Sequence, residues 1–136
     1  MAEINQASPQ SLYDLLGGEP GATEKIREIV EAFYDVMDQD PKAKTIRDMH
    51  AKDLTSAREK LFMFLCGWLG GPSYYTDQFG HPRLRMRHMP FAIGIRERDQ
   101  WLACMHQAMQ ESHLDAVLVE RLDQAFFQTA DWMRNK

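Results

Sequence analysis

The chain has 136 residues, 44% apolar and 26% charged, with a net charge of −4. That length suits one domain with a sizeable core, spanning residues 1–136. The acidic balance argues against nucleic acid as a main partner, and no apolar run approaches the ~20 residues of a membrane span.

Residues 1–10 read as a loose polar leader. Their opening, Met1-Ala2-Glu3-Ile4-Asn5, has neither the basic start nor the apolar stretch of a secretory signal, so a cytoplasmic location is expected. Ser11-Leu12-Tyr13-Asp14 resembles a capping signal, and Gly17-Gly18 ends the short helix it starts. A second helix is predicted from about Thr23 to Asp38, because Ile26, Ile29, Val30, Phe33 and Met37 recur at three- and four-residue steps. Tyr34 lies at the edge of that stripe. Asp40-Pro41 reads as an N-cap followed by proline in the first turn, opening a short helix to about Asp48.

A helix over roughly Leu54–Leu69 follows, with Ala57, Leu61, Phe64, Leu65 and Trp68 on one face, and Gly70-Gly71-Pro72 stops it. Residues 73–91 show little periodicity and hold one short helical candidate, Arg83–His88, closed by Pro90. Long irregular stretches inside compact domains are often functional. Two long helices finish the chain. One spans about Ile95–Ser112, with Trp101, Leu102, Met105 and Met109 on a stripe. The other is capped by Asp115 and carries Leu118, Leu122, Phe126, Thr129 and Met133. No strand alternation is evident, so the fold class is all-α.

The five histidines form no H-E-x-x-H arrangement and no zinc-finger spacing. No nucleophile elbow or glycine-rich phosphate loop is present. His88 stands out by context: arginines precede it, Pro90 ends its helix, and Phe91 and Ile93 follow. A metal-ligating imidazole in an apolar pocket needs that kind of short, rigid mount. On spacing alone, a solvated surface histidine is the better reading.

The segment Gly80-His81-Pro82-Arg83-Leu84-Arg85-Met86-Arg87-His88-Met89-Pro90-Phe91 resembles the iron-ligand segment of group II truncated haemoglobins. The resemblance continues through Arg96-Glu97-Arg98-Asp99-Gln100-Trp101-Leu102. It also covers Ser11 to Gly18, Phe33-Tyr34, Phe64-Leu65 and Gly70-Gly71-Pro72. It implies a globin-like, truncated two-over-two helical sandwich around a non-covalent haem b. The absence of C-x-x-C-H excludes covalent c-type attachment, and Cys66 and Cys104, inside apolar patterns, read as buried thiols.

Carried over residue by residue, the resemblance makes His88 the iron ligand. Tyr34 and Trp101 become the distal hydrogen-bond donors to a bound gas. Ala57 and Leu61 form the distal wall, while Phe64, Leu65, Phe91, Ile93 and Met105 pack the macrocycle. Lys60, Arg87 and Tyr75 meet the propionates. His50 is either an exposed loop histidine or the distal corner residue, tuning Tyr34 and ligand access rather than binding iron permanently. The implied function is reversible binding of O2, with CO and NO as further ligands, at ferrous iron. The enzymatic alternative is nitric oxide dioxygenation or peroxidase-like chemistry. It requires a separate reductase, because this chain carries no flavin- or nicotinamide-binding motif.

Overall fold

The computed structural model describes residues 11–136, so the leader predicted over residues 1–10 lies outside the described residues. Eight α-helices occur among them: α1 (Leu12–Leu15), α2 (Gly21–Gln39), α3 (Lys44–Asp48), α4 (Thr55–Trp68), α5 (Tyr74–Phe79), α6 (Leu84–His88), α7 (Ile95–Glu111) and α8 (Ala116–Trp132). A 3-10 turn at Pro41–Ala43 leads into α3. None of these helices is long and apolar enough to cross a membrane.

The predicted caps are present. The Ser11 side chain accepts from the Asp14 amide, and the Asp14 carboxylate accepts from the Ser11 amide. Asp40 accepts from the Lys42 amide ahead of α3, and Asp115 from the Val117 and Leu118 amides at the start of α8. Each cap satisfies amides that a helix start leaves without a partner. The departure from expectation is α5, in a stretch where sequence periodicity is faint. Its six residues, Tyr74–Phe79, include no buried side chain, so an apolar stripe could not reveal it.

Helices α2 and α4 pack as one layer and α7 and α8 as the other, with α2 crossing α7. The stripe of α2 supplies much of the core: Ile26, Val30, Phe33 and Met37 are all buried. Met105 and Met109 of α7 and Leu122 and Phe126 of α8 close it from the other side. Cys66 and Cys104 sit in this core as free thiols, and burial pushes both up to about 11. They are therefore neutral and unreactive near neutral pH.

Helix α4 is apolar on two sides. Phe62, Leu65 and Cys66 face the core, while Ala57, Leu61 and Phe64 line a pocket. Two glycines let its end fold back on α1. Gly70 has φ +103, a region open to glycine. At Gly71 a Cβ would come within 2.5 Å of Tyr13 ring carbons, closer than real contacts allow. Tyr13 is buried, and its hydroxyl meets Glu19 and Thr23. Gly71→Ala should therefore destabilise the fold by about 1–3 kcal/mol, the usual cost of overpacking. A denaturation midpoint unchanged from wild type would show that α1 can shift aside.

Candidate functional site

Between the two layers lies a pocket of about 350 Å³ with a mostly apolar lining. That volume falls at the lower end of the range usual for cofactor pockets, ~300–1,000 Å³. Three groups of elements build it. Tyr34 of α2 and Ala57, Leu61 and Phe64 of α4 contribute one set of lining residues, His88 of α6 with Phe91 and Ile93 a second, and Trp101 of α7 a third.

His88 is half-buried on a five-residue helix. Its Nδ1 lies 2.6 Å from the Leu84 carbonyl oxygen. A carbonyl only accepts, so Nδ1 carries the proton and Nε2 carries the lone pair. A histidine held in this way has its tautomer and ring plane fixed for metal ligation.

Tyr34 is 5% exposed. Burial is the largest cause of an upward shift of its phenol, which the positive charge of Arg58 only partly offsets. The hydroxyl therefore stays protonated and can donate. Phe33 holds the rings of this wall together. Its centroid lies 4.9 Å from Tyr34, edge-on, and 5.0 Å from Trp101. Trp101 also meets Phe126 edge-on at 5.6 Å. Such aromatic pairs contribute ~0.5–1.5 kcal/mol beyond burial, so both the Tyr34 and the Trp101 ring have a defined seat.

His50 also lines the pocket and is half-buried. Its ring meets Tyr34 edge-on at 5.7 Å, and its Nδ1 donates to the Ile46 carbonyl at 2.8 Å. Burial is the main cause of a lowered pKa. The Ile46 carbonyl opposes that shift, and Arg47 and His88 reinforce it.

Lys60, Tyr75 and Arg87 stand on the pocket lining. Lys60 Nζ rests over the Phe79 ring at 5.5 Å, and Tyr75 meets Phe64 edge-on at 6.2 Å. Arg87 Nε donates to the Pro82 carbonyl at 2.8 Å.

Two expected pocket residues are corrected. Leu65 is 3% exposed in the core and lines a small apolar side cavity, of about 40 Å³, rather than the main pocket. Met105, one turn beyond Trp101 on the same stripe, is 1% exposed in the core and does not reach the main lining. Sequence reasoning in turn missed Ile46, Met49, Leu84, Glu97, Arg98, Ala130 and Met133. Met133 was the legible one: it ends the α8 stripe, one turn after Thr129.

The residues present fit a haem. The pocket offers a mostly apolar slot, two imidazoles, His88 and His50, whose Nδ1 atoms each meet a backbone carbonyl, the buried phenol of Tyr34 and three cations, Lys60, Arg87 and Arg98, on its lining. The model of the bacterial-like globins matches residues 11–135. The group 2 truncated hemoglobin YjbI of Bacillus subtilis (strain 168) is 38% identical over 113 residues, 83% of each chain. Among solved structures, the cold-adapted truncated hemoglobin from the Antarctic marine bacterium Pseudoalteromonas haloplanktis TAC125 is 42% identical. Its TM-score is 0.84 over 93% of this chain and 99% of that one. The group II 2-on-2 hemoglobin from the plant pathogen Agrobacterium tumefaciens is 36% identical, with a TM-score of 0.85 over 95% and 97% of the two chains. The fold and site thus define a haem-pocket globin, and the chain belongs to the bacterial-like globin family as a truncated haemoglobin of group II.

The lowered pKa of His50 has a sign that can be checked. The unfolded histidine titrates near 6.5 and the folded one lower, so between these values the unfolded state binds more protons. Stability then rises with pH across that window and is lost as pH falls through it. His50→Phe keeps an aromatic edge beside Tyr34 and removes the titration. Its urea midpoint should fall less than that of wild type between about pH 7 and about pH 5. Parallel curves for the two proteins would remove His50 from the pH response.

Proposed function

We propose that the pocket holds haem b without a covalent bond, that His88 would be the protein ligand to its iron, and that the chain binds O2 reversibly, with CO and NO as further ligands. The observation that carries this reading is the Nδ1–Leu84 hydrogen bond on the short helix α6, which leaves Nε2 of His88 free for a metal in a pocket that Phe91, Ile93 and Tyr34 also line; His50 makes the same kind of bond but lies edge-on against Tyr34. Neither cysteine lines the pocket, which supports a non-covalent attachment. Haem, when bound, supplies a ferrous iron with one open position for a diatomic ligand.

The chain's own residues do the rest. Phe64, Phe91 and Ile93 present apolar surface to the macrocycle, and Ala57 and Leu61 keep the distal wall free of donors. Lys60, Arg87 and Tyr75 meet the propionates. Tyr34 and the Trp101 indole donate hydrogen bonds to the gas. His50 packs edge-on against Tyr34 and limits how far its ring can swing in the pocket. A hydrogen bond to a charged or strongly polarised acceptor contributes ~1.5–3 kcal/mol. Two such donors in a water-poor pocket retain O2 strongly, which suits scavenging, sensing or redox chemistry better than transport.

His88→Gly should lose haem readily, and added imidazole should restore the wild-type ferrous spectrum. A variant that keeps that spectrum without imidazole removes His88 as the ligand. Trp101→Phe keeps ring volume and deletes the N–H. Its O2 release should be about ten- to a hundredfold faster, the range that one charge-assisted hydrogen bond covers. CO release should change far less, because O2 accepts a hydrogen bond more strongly than CO does. Equal effects on both gases in stopped-flow mixing would make Trp101 a packing residue alone.

A further inference from the structure

The segment that follows His88 has no regular structure of its own. Met89-Pro90-Phe91-Ala92-Ile93-Gly94 joins α6 to α7, and Pro90 has no amide to donate. Its polar backbone groups need partners from elsewhere, and they come from the chain's last residues. The Asn135 side chain spans three of them at once. Its Oδ1 accepts from the Ile93 amide at 2.9 Å, and its Nδ2 donates to the Phe91 carbonyl at 2.8 Å and to the His88 carbonyl at 3.4 Å. The Asn135 and Lys136 amides both donate to the Ile93 carbonyl, at 2.8 and 3.1 Å. The Phe91 amide donates to the His88 carbonyl at 3.0 Å, which closes the turn that Asn135 grips.

The end of α8 is itself anchored. Asp131 accepts from Arg98 of α7 at 2.7 Å and from Arg134 at 3.0 Å. Arg85 of α6 donates to the Trp132 carbonyl. The tail is thus a latch, fastened to α7 and α6, whose tongue is one asparagine.

We propose that Asn135 is a positioning residue for His88: by holding the His88 and Phe91 carbonyls and the Ile93 amide, it fixes the direction from which His88 presents Nε2 to the haem iron. This rests on the reading of His88 as axial ligand. An asparagine suits the task because one side chain offers an acceptor and two donors in a plane, as a strand neighbour would.

Two variants of the haem-loaded protein test it. Asn135→Ala removes all three side-chain bonds. Asn135→Asp keeps the acceptor for Ile93 but turns an oxygen toward the His88 and Phe91 carbonyls. Both should shift or broaden the iron–histidine stretching band in resonance Raman spectra of the ferrous protein. Both should speed haem transfer to excess apomyoglobin by about tenfold, the equivalent of one or two modest hydrogen bonds. Hydrogen exchange at the Ile93 amide should rise in Asn135→Ala and stay near wild type in Asn135→Asp. A melting temperature that falls while the band and the transfer rate stay put overturns the proposal, since the tie is then structural only. If Asn135→Ala does not fold, the same readings on Asn135→Asp decide. A wild-type ferrous protein with no iron–histidine band sinks the His88 reading itself, whereas a normal band that neither variant moves sinks only the role of Asn135.

Discussion

The crossing of α2 over α7 turns on one buried ring. Phe33 has no exposed surface, and its centroid lies about equally far from Tyr34 and Trp101, at 4.9 and 5.0 Å. Tyr34 and Trp101, the proposed distal donors, therefore take their places from the same core residue, one as its chain neighbour and one across the helix crossing. Truncation of a fully buried phenylalanine costs ~3–5 kcal/mol. Here it would also free the two rings whose spacing the site depends on. Core packing and site geometry are a single constraint at this point, because interiors packed to crystal density pass a displacement on rather than absorb it.

The proximal side follows a different logic. His88 sits on a five-residue helix, too short to be stable by itself. None of the residues of α6 is buried, so packing does not hold it either. Directed bonds do: Arg85 to the Trp132 carbonyl, Arg87 to the Pro82 carbonyl, and Asn135 to the turn after His88. A wall held by hydrogen bonds can be tuned residue by residue, whereas one held by packing moves as a block. The molecule thus places its proposed donors on long helices and its proposed ligand on a short helix laced by hydrogen bonds.

How much of this could be read in the chain follows the same division. Elements that bury a stripe were legible: the α2 face of Ile26, Val30, Phe33 and Met37, and the α8 face of Leu118, Leu122 and Phe126, are the buried ones. So were the caps at Ser11, Asp40 and Asp115, where chemistry marks a helix start. The helix Tyr74–Phe79 was not, because it buries nothing and leaves no periodic trace. In the site, resemblance brought His88, Tyr34 and Trp101 to one pocket. It overreached at Leu65 and Met105, apolar residues one position or one turn from pocket residues and facing the core. Spacing gives a helix face to within a residue or so, and here that margin separates core from cavity. Asn135 was invisible in principle, since a lone polar residue near a chain end carries no pattern until its partners are known.

The charge distribution links the two walls. Residues 83–98 hold five arginines against a single glutamate, in a chain whose net charge is −4. Three of those arginines have fixed structural partners: Arg85 on the end of α8, Arg87 on Pro82 and Arg98 on Asp131. Their hydrogen bonds to carbonyls do not neutralise them, so Arg85 and Arg87 keep their charge while bracing α6. The bonds that stiffen the His88 mount therefore also set a positive potential along the segment that carries it. On the proposed reading, a haem would bring two carboxylates on one edge, and a cationic α6 would favour the orientation that turns this edge toward Arg87. Most of these side chains are exposed and salt-screened, so each contributes little stability. Their effect is on direction: a neutral gas is indifferent to this field, whereas the anionic edge of the macrocycle is not.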